Sequence, residues 1–193
     1  MKTIVSLILL VQVLWLAPAM GQNSFEGVVE LSGTDKAGTL GSMLWYFKDG
    51  SSRIDISNNT KDGAYTVSFI VDSQGMDFIG FGRVVPVPKE SIKPSGGKLT
   101  LLMQGAPVEV NGYECVPTVY SNGEGTVTYW FTDKSPLKFE DLPAVLLSNI
   151  PAVAVSSFPM KVEVKNGAGE IISSQEVIAI NATSVDASRF ERK

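Results

Sequence analysis

The chain has 193 residues, of which 16 are basic and 20 acidic, so its formal net charge is −4. An acidic chain is a poor partner for nucleic acid or for an anionic lipid surface, because both attract basic proteins. The sequence has no histidine and one cysteine, Cys115. This composition excludes an intrachain disulfide, thiolate clusters, and catalysis or metal binding that depends on imidazole. We expect Cys115 to be a small buried side chain within a strand.

Residues 1–21 have the pattern of a secretory signal peptide. Lys2 precedes an apolar run over residues 4–20, and the run ends at small residues. We expect cleavage before Gln22, which leaves 172 residues (193 less 21) with a net charge of −5. The prediction is a soluble periplasmic or secreted bacterial protein. The alternative is an uncleaved N-terminal anchor, since the run is close to the shortest length that spans a membrane.

From Phe25 onward, apolar and polar residues alternate with a period of two, most clearly over residues 160–165. This alternation is typical of antiparallel strands with one buried and one solvated face. Turn pairs such as Asp49-Gly50 separate the runs. We predict one domain over residues 22–193. Its fold class is mostly β, a single curved antiparallel sheet or half-barrel of about nine or ten strands, with one or two short helices.

Three segments depart from this pattern. Residues 84–97 contain three prolines, which predicts a long loop. Residues 138–148 have apolar positions at helical spacing and acidic residues near the start, which predicts a short amphipathic helix. A second brief helical turn is predicted at residues 185–189.

Residues 43–47 and 127–131 are apolar on both faces of their predicted strands. Such a strand needs a second cover, which can be a helix, another sheet, a protein partner or a ligand. The predicted helix is one candidate for that cover. The other is an apolar ligand held against the concave face of the sheet. The candidate ligand-binding residues are Trp45, Phe47, Phe69, Trp130, Leu142 and Leu146.

Carboxylate pairs are the remaining option for acid–base catalysis. Asp72 and Asp77 flank a predicted hairpin turn, where two carboxylates can face each other. Turns also carry Asp for capping, and the aspartates, including Asp55, lack the ordered spacing of a calcium loop. We therefore predict no catalytic residue, no metal site and no cofactor.

Several short motifs occur along the chain in a definite order. They are Phe25-Glu26-Gly27, Tyr46-Phe47-Lys48-Asp49-Gly50, Arg53-Ile54-Asp55, the strand end at Asp72, Asn111-Gly112-Tyr113-Glu114-Cys115, Thr128-Tyr129-Trp130-Phe131-Thr132, Phe158-Pro159-Met160 and Val185-Asp186. In this order they resemble the bacterial family called domain of unknown function 4412, which has no established activity. Its layout is similar to the LolA-like lipoprotein-carrier superfamily. That resemblance implies a half-barrel with helices at its concave face and a capacity to bind acyl chains.

The functional prediction is a non-catalytic carrier or chaperone for a lipid or another apolar ligand, bound near Trp45, Phe69 and Trp130. The alternative is an envelope interaction or structural protein that binds a protein partner and no small molecule. An enzyme is the third possibility and would need a cleft with two carboxylates that lack structural partners. No nucleic-acid partner is expected, and no membrane span after the signal is cleaved.

Overall fold

The computed structural model describes residues 25–35, 38–60, 63–73, 75–88, 99–138, 141–142 and 157–192. Twelve antiparallel strands in these residues form one open sheet. The strands are β1 (Gly27–Asp35), β2 (Gly38–Lys48), β3 (Ser51–Thr60), β4 (Gly63–Val71), β5 (Gly75–Gly80), β6 (Arg83–Pro88), β7 (Thr100–Gln104), β8 (Val108–Val110), β9 (Tyr113–Ser121), β10 (Gly125–Thr132), β11 (Phe158–Asn166) and β12 (Ile171–Ala182). A short 3₁₀ helix, Ala187–Phe190, follows β12. The mostly β, single-sheet fold class is confirmed.

The sheet consists of two meanders joined at its centre. Strands β1 to β6 form one meander and β9 to β12 the other, while β7 and β8 both pair with β9. The junction is the antiparallel pair β1–β12, in which Gly27 lies opposite Ala182 and Asp35 opposite Ser173. Neighbours in sequence therefore pair within each meander, as the turn pattern predicts. At Asp49-Gly50 the two turn residues have φ values of 50° and 73°, as a tight hairpin requires.

The strand number exceeds the predicted nine or ten, and part of the predicted loop at 84–97 is a strand. Strand β6 pairs only with β5 and forms one edge of the described sheet. An edge strand tolerates Pro86 and Pro88 because the proline nitrogens need no ladder partner there. Residues 89–97 lie outside the described residues.

The two predicted helices have different outcomes. Of the helix predicted over 138–148, only Lys138, Asp141 and Leu142 are described, and the rest lies outside the described residues. The turn predicted at 185–189 is present as the 3₁₀ helix, where the Asp186 side chain caps the first turn by accepting a hydrogen bond from Ser188 N–H at 2.9 Å.

The sheet curves strongly towards one face. Trp45 lies on β2 and Phe158 on β11, three inter-strand spacings apart, which is about 14 Å in a flat sheet. Their ring centroids are nevertheless only 6.5 Å apart. The face that carries both rings is therefore the concave face.

The main core lies on this concave face. Val29, Phe47 and Met160 are each at most 1% exposed, and they belong to one cluster of buried side chains. Phe25 extends the cluster, with its ring 5.6 Å from that of Phe47 in an edge-to-face arrangement. The ring lies over Gly27, where a Cβ would come within 2.5 Å of it. A glycine at this position therefore lets the aromatic ring cover the strand.

The convex face is covered in part by residues 183–192, here called the C-terminal strap. The guanidinium of Arg189 lies 4.4 Å from the Tyr46 ring centroid, and Arg53 Nη1 donates to Arg189 O at 2.6 Å. Arg192 Nε contacts the Asp77 carboxylate at 2.6 Å, and Arg192 also contacts Asp72. Charged and backbone contacts therefore attach the strap to the convex face of the sheet.

Substitution of Arg192 should destabilise the protein. Arg192→Met keeps a long unbranched side chain but removes the guanidinium group. Because the buried Asp77 carboxylate then lacks this cation, we expect the free energy of unfolding to fall by about 1–2 kcal/mol. The control is Lys134→Met, whose partner Glu114 is about as exposed as Lys134 itself, and whose loss should cost less than about 0.5 kcal/mol. Urea unfolding of the two variants measures both. Equal losses would contradict a stabilising role for the strap.

The strap also makes the stability depend on pH through Glu26. Hydrogen bonds from Lys48 and from the Val185 N–H lower the pKa of Glu26 below its ordinary value of 4.5. A carboxylate with a lowered folded-state pKa contributes stability above its unfolded-state pKa and loses it as the pH falls through the folded-state value. Glu26→Gln should therefore flatten the decline of the melting temperature below about pH 4.5. Lys48→Met, which removes the largest cause, should act in the same direction. If the melting temperatures of both variants fell with pH as steeply as that of the wild type, the role of Glu26 in the pH dependence would be refuted.

Candidate ligand-binding site

An apolar cavity of about 260 Å³ opens on the concave face between the two meanders. Its principal lining residues are Trp45, Ile54, Tyr129, Leu142, Phe158 and Met160. Five inter-strand spacings separate the strands of Ile54 and Tyr129, so these side chains share a cavity because the sheet curves. Trp45, Ile54 and Tyr129 keep part of their surface accessible to solvent, whereas Leu142 and Met160 are buried. The cavity is thus lined partly by accessible apolar side chains and partly by buried ones.

Leu142 reaches the cavity from a connecting segment that is anchored by the residue before it. One oxygen of the Asp141 carboxylate accepts a hydrogen bond from Phe25 N–H at 3.1 Å, and the other accepts one from Lys138 N–H at 2.7 Å. Asp141 N–H in turn donates to Lys138 O at 3.1 Å. These bonds fix the segment to the start of the sheet, and Leu142 is placed as a cover over the cavity.

Trp45 is the largest side chain of the cavity. Its ring lies 4.8 Å from that of Phe47 and 6.5 Å from that of Phe158, measured between centroids. The indole Nε1 is buried and has no hydrogen-bond partner among the described residues. An indole N–H can only donate, so the ring contributes apolar area and one unused donor at this site.

Tyr129 forms the cavity wall on the side of the second meander. Burial raises the pKa of the Tyr129 phenol, and the neighbouring Tyr120 acts in the same direction. The phenol is therefore neutral at neutral pH. The cavity wall consequently presents a neutral phenol beside its hydrocarbon side chains.

The predicted ligand-binding residues fall into three groups in the structure. Trp45 and Leu142 line the cavity. Phe47 is 1% exposed beneath Trp45, and Phe69, whose ring contacts Phe78 at 5.4 Å, lies further along the same face. Leu146 lies outside the described residues.

Trp130 lies on the opposite face of the sheet from Trp45. It directly follows Tyr129, which lines the cavity, and successive strand residues point to opposite faces. The ammonium of Lys161 stands 5.1 Å from the centroid of the Trp130 ring, a cation–π contact. The structure therefore does not bring Trp130 together with Trp45 in the cavity, although both were predicted from the sequence to bind the ligand.

Several residues that line the cavity are not among the residues predicted from the sequence to bind a ligand. Ile54, Phe158 and Met160 line it, together with Tyr129. The alternation within residues 160–165 marks Met160 as inward-facing, and Phe158 lies two residues earlier on the same strand. That alternation predicts which side chains lie on the same face of the sheet. It does not predict which strands the curvature of the sheet brings close together.

The two carboxylates considered for catalysis have a structural partner. Asp72 and Asp77 do converge, and both contact Arg192 on the convex face. Within the described ranges, no cluster of three or more His, Cys, Asp or Glu residues is suited to hold a metal ion. Cys115 is fully buried, and burial raises the pKa of its thiol. These groups serve the fold in the geometry seen here.

Comparisons with known proteins identify the fold of the chain but do not assign it to a family. No protein-family model matches the chain, and no curated protein sequence matches it. The chain is similar to an uncharacterised conserved protein from Thermus thermophilus, with a TM-score of 0.56 and 10% identity over 89% of this chain and 86% of that one. The two proteins share a fold. The resemblance to domain of unknown function 4412 stays a hypothesis based on motifs.

Weaker structural similarity extends to two other bacterial proteins. LprF from Mycobacterium bovis aligns with a TM-score of 0.40 and 10% identity, over 83% of this chain and 88% of that one. A chain of the Pseudomonas aeruginosa MucA/MucB complex aligns with a TM-score of 0.41 and 13% identity, over 88% of this chain and 56% of that one. At these scores neither adds to the assignment of the fold. In the part of the chain that the structure describes, no helix is both long and apolar enough to cross a membrane.

The anchor of Leu142 can be tested through tryptophan fluorescence. Outside the predicted signal peptide the tryptophans are Trp45 and Trp130, so Trp130→Phe and Trp45→Phe each leave one reporter. Asp141→Ala removes two hydrogen bonds that hold the Leu142 segment, and we expect acrylamide to quench Trp45 more strongly. Trp130, on the opposite face, should be quenched as before. Unchanged quenching of Trp45 would show that Asp141 does not hold the cover in place.

Proposed function

We propose that the protein is an exported, non-catalytic carrier that binds an apolar chain in the cavity of its concave face. The observation that supports this proposal is the apolar cavity itself, whose wall at Trp45, Ile54 and Tyr129 stays accessible to solvent. An apolar wall exposed to water is costly, and an apolar ligand removes that cost at about 25 cal/mol for each Å² it covers. A hydrocarbon chain therefore needs no charged anchor to bind here.

The chemistry around the cavity favours binding over catalysis. The acidic pair at Asp72 and Asp77 lies on the convex face and is engaged by Arg192. Among the polar residues that line the cavity, the Glu176 carboxylate is engaged by Lys161 at 3.9 Å and by the Asn111 amide at 2.9 Å, which leaves Gln175 and the phenol of Tyr129. One carboxylate without a second group at acid–base distance suits no hydrolytic mechanism of the two-carboxylate type.

A substitution that fills the cavity should weaken ligand binding. Ile54→Phe adds a ring to the accessible wall, and we expect the affinity for the fluorescent apolar probe N-phenylnaphthylamine to fall about tenfold, or about 1.4 kcal/mol. Ile56→Phe is the matched control, because Ile56 lies two residues along the same strand and face but does not line the cavity. Probe emission and thermal unfolding of both variants are measured. Equal affinities in the two variants, or no binding by the wild type, would refute the proposal.

The natural ligand can be sought by native mass spectrometry of protein purified from its own host. We expect residues 22–193 to carry an additional mass that is released on denaturation and recovered in organic solvent. A bare chain that also fails to bind the probe would contradict a carrier function. The same spectrum reads the mass of the mature chain, so it tests signal cleavage independently.

A second candidate function rests on an exposed sheet edge. Leu101, Leu102 and Met103 on β7 are between 51% and 58% exposed, and in the described sheet β7 pairs only with β9. Exposed edge strands add strands from partner proteins through backbone hydrogen bonds. Failure of both ligand experiments would make partner binding at β7 the leading function.

A further inference from the structure

A second pocket, of about 390 Å³, lies on the concave face next to the apolar cavity. It is formed mainly by β9 and β10, and its chemistry is polar. The polar residues that line it are Gln104, Glu114, Thr118, Tyr120, Thr132, Asp133 and Ser157. The apolar cavity alone is smaller than the range of about 300–1,000 Å³ that is typical of small-molecule sites, whereas the two spaces together fall within that range.

Tyr120 is the unusual residue of this polar pocket. Its side chain is 3% exposed, and its hydroxyl has no hydrogen-bond partner among the described residues. The other buried hydroxyls of the pocket are engaged: Thr118 donates to Val116 O at 3.4 Å, and Thr132 accepts from Lys134 N–H at 3.2 Å. Buried hydroxyls are normally paired, since desolvation without a partner is unfavourable. Among the described residues, the Tyr120 hydroxyl is therefore a buried donor and acceptor without a partner at this pocket.

The polar pocket and the apolar cavity share an aromatic wall. Tyr129 lines the apolar cavity, whereas Tyr120 and Phe131 line the polar pocket. The Tyr129 ring lies 5.9 Å from that of Tyr120 and is stacked on that of Phe131 at 5.3 Å, measured between centroids. A single layer of aromatic side chains therefore separates the two spaces, so they are close enough for one amphiphile to span both.

The charges of the polar pocket select the kind of polar end. Glu114 and Asp133 line it, and no Lys or Arg side chain does so in the described residues. The nearby Lys134 ammonium is paired with Glu114 at 3.2 Å, with both side chains about 60% exposed, and the Lys138 ammonium donates to the backbone of Asp133. An anionic group would face two carboxylates. Hydroxyl groups, in contrast, can donate to those carboxylates and exchange hydrogen bonds with Gln104 and Tyr120.

We propose that the polar pocket binds the uncharged, hydroxyl-bearing head group of an amphiphile whose hydrocarbon chain lies in the apolar cavity, with the Tyr120 hydroxyl as a direct hydrogen-bond partner. This inference rests on the proposed carrier function and names the class of its ligand. Both a glycosyl and a glycerol head group have this chemistry.

The test compares dodecyl amphiphiles that share one chain and differ in the head group. Dodecyl glucoside, dodecylglycerol and dodecyl phosphate are titrated below their micelle concentrations into the Trp130→Phe protein, with Trp45 emission as the readout. We expect each of the two uncharged amphiphiles to bind about tenfold more tightly than dodecyl phosphate. The ratio between glucoside and glycerol then distinguishes the two sources of hydroxyl groups.

Tyr120→Phe removes the hydroxyl and keeps the ring. We expect it to weaken binding of the uncharged amphiphiles about tenfold, to leave dodecyl phosphate and N-phenylnaphthylamine unchanged, and to keep or raise the melting temperature, because the lost hydroxyl has no partner in the described part of the protein. A purely structural hydroxyl would lower the melting temperature and change no ligand preference. Tyr65→Phe, at a more exposed tyrosine on β4 (38% exposed), is the control.

The outcomes separate this inference from the carrier function. Equal binding of the three amphiphiles, tighter binding of the phosphate, or a Tyr120→Phe variant with wild-type preference would overturn the assignment of the polar pocket while the carrier function stands. Absence of binding by every amphiphile and by N-phenylnaphthylamine would overturn both.

Discussion

The pairing of β1 with β12 is the contact on which the rest of the structure depends. It joins a meander from the first half of the chain to one from the second half, and without it the sheet would be two separate pieces. Because the sheet curves across this junction, Trp45 from one meander and Phe158 from the other approach within 6.5 Å. The apolar cavity is therefore a product of the junction, and no single meander contains it.

The two faces of the sheet near the junction are stabilised by different forces. The concave face is held by apolar contacts around Val29 and Phe47, which are non-directional and leave a cavity where the curve is too wide to fill. The convex face is held by the strap, through directional contacts of Arg53, Arg189 and Arg192. The apolar chain proposed to bind on the concave side would therefore leave the charged contacts on the convex side undisturbed.

Local patterns predicted much of the fold. Period-two alternation and turn pairs such as Asp49-Gly50 identified the strands and their order, since both are properties of a few consecutive residues. Strand β6 was missed because its prolines argue against a central strand, and an edge position cannot be recognised without knowledge of the pairing. The β1–β12 pair likewise depends on two strands at opposite ends of the described chain.

The predicted ligand-binding residues do not all lie together in the structure, for a physical reason. Trp45 and Trp130 both lie in segments that are apolar on both faces, so composition could not assign them to one side of the sheet. The structure separates them because Tyr129 faces the cavity and Trp130 faces Lys161. Ile54 and Phe158 join the site only through curvature, which is a property of the whole sheet. Leu142 was predicted from the helical spacing of apolar residues in its segment, and the structure places it in the lining of the cavity.

The central position of β12 also sets the order in which the protein can fold. Among the described strands β1 is made first and its partner β12 last, so one edge of β1 stays unpaired until the other described strands have been made. Pairing of β12 with β1 closes a long loop, and folds that are dominated by such non-local pairings fold slowly, typically on the order of milliseconds to seconds. During that interval the apolar side chains around Val29 lack their second wall and are open to self-association. The same long-range pair that creates the cavity thus leaves these apolar side chains exposed until β12 has paired with β1.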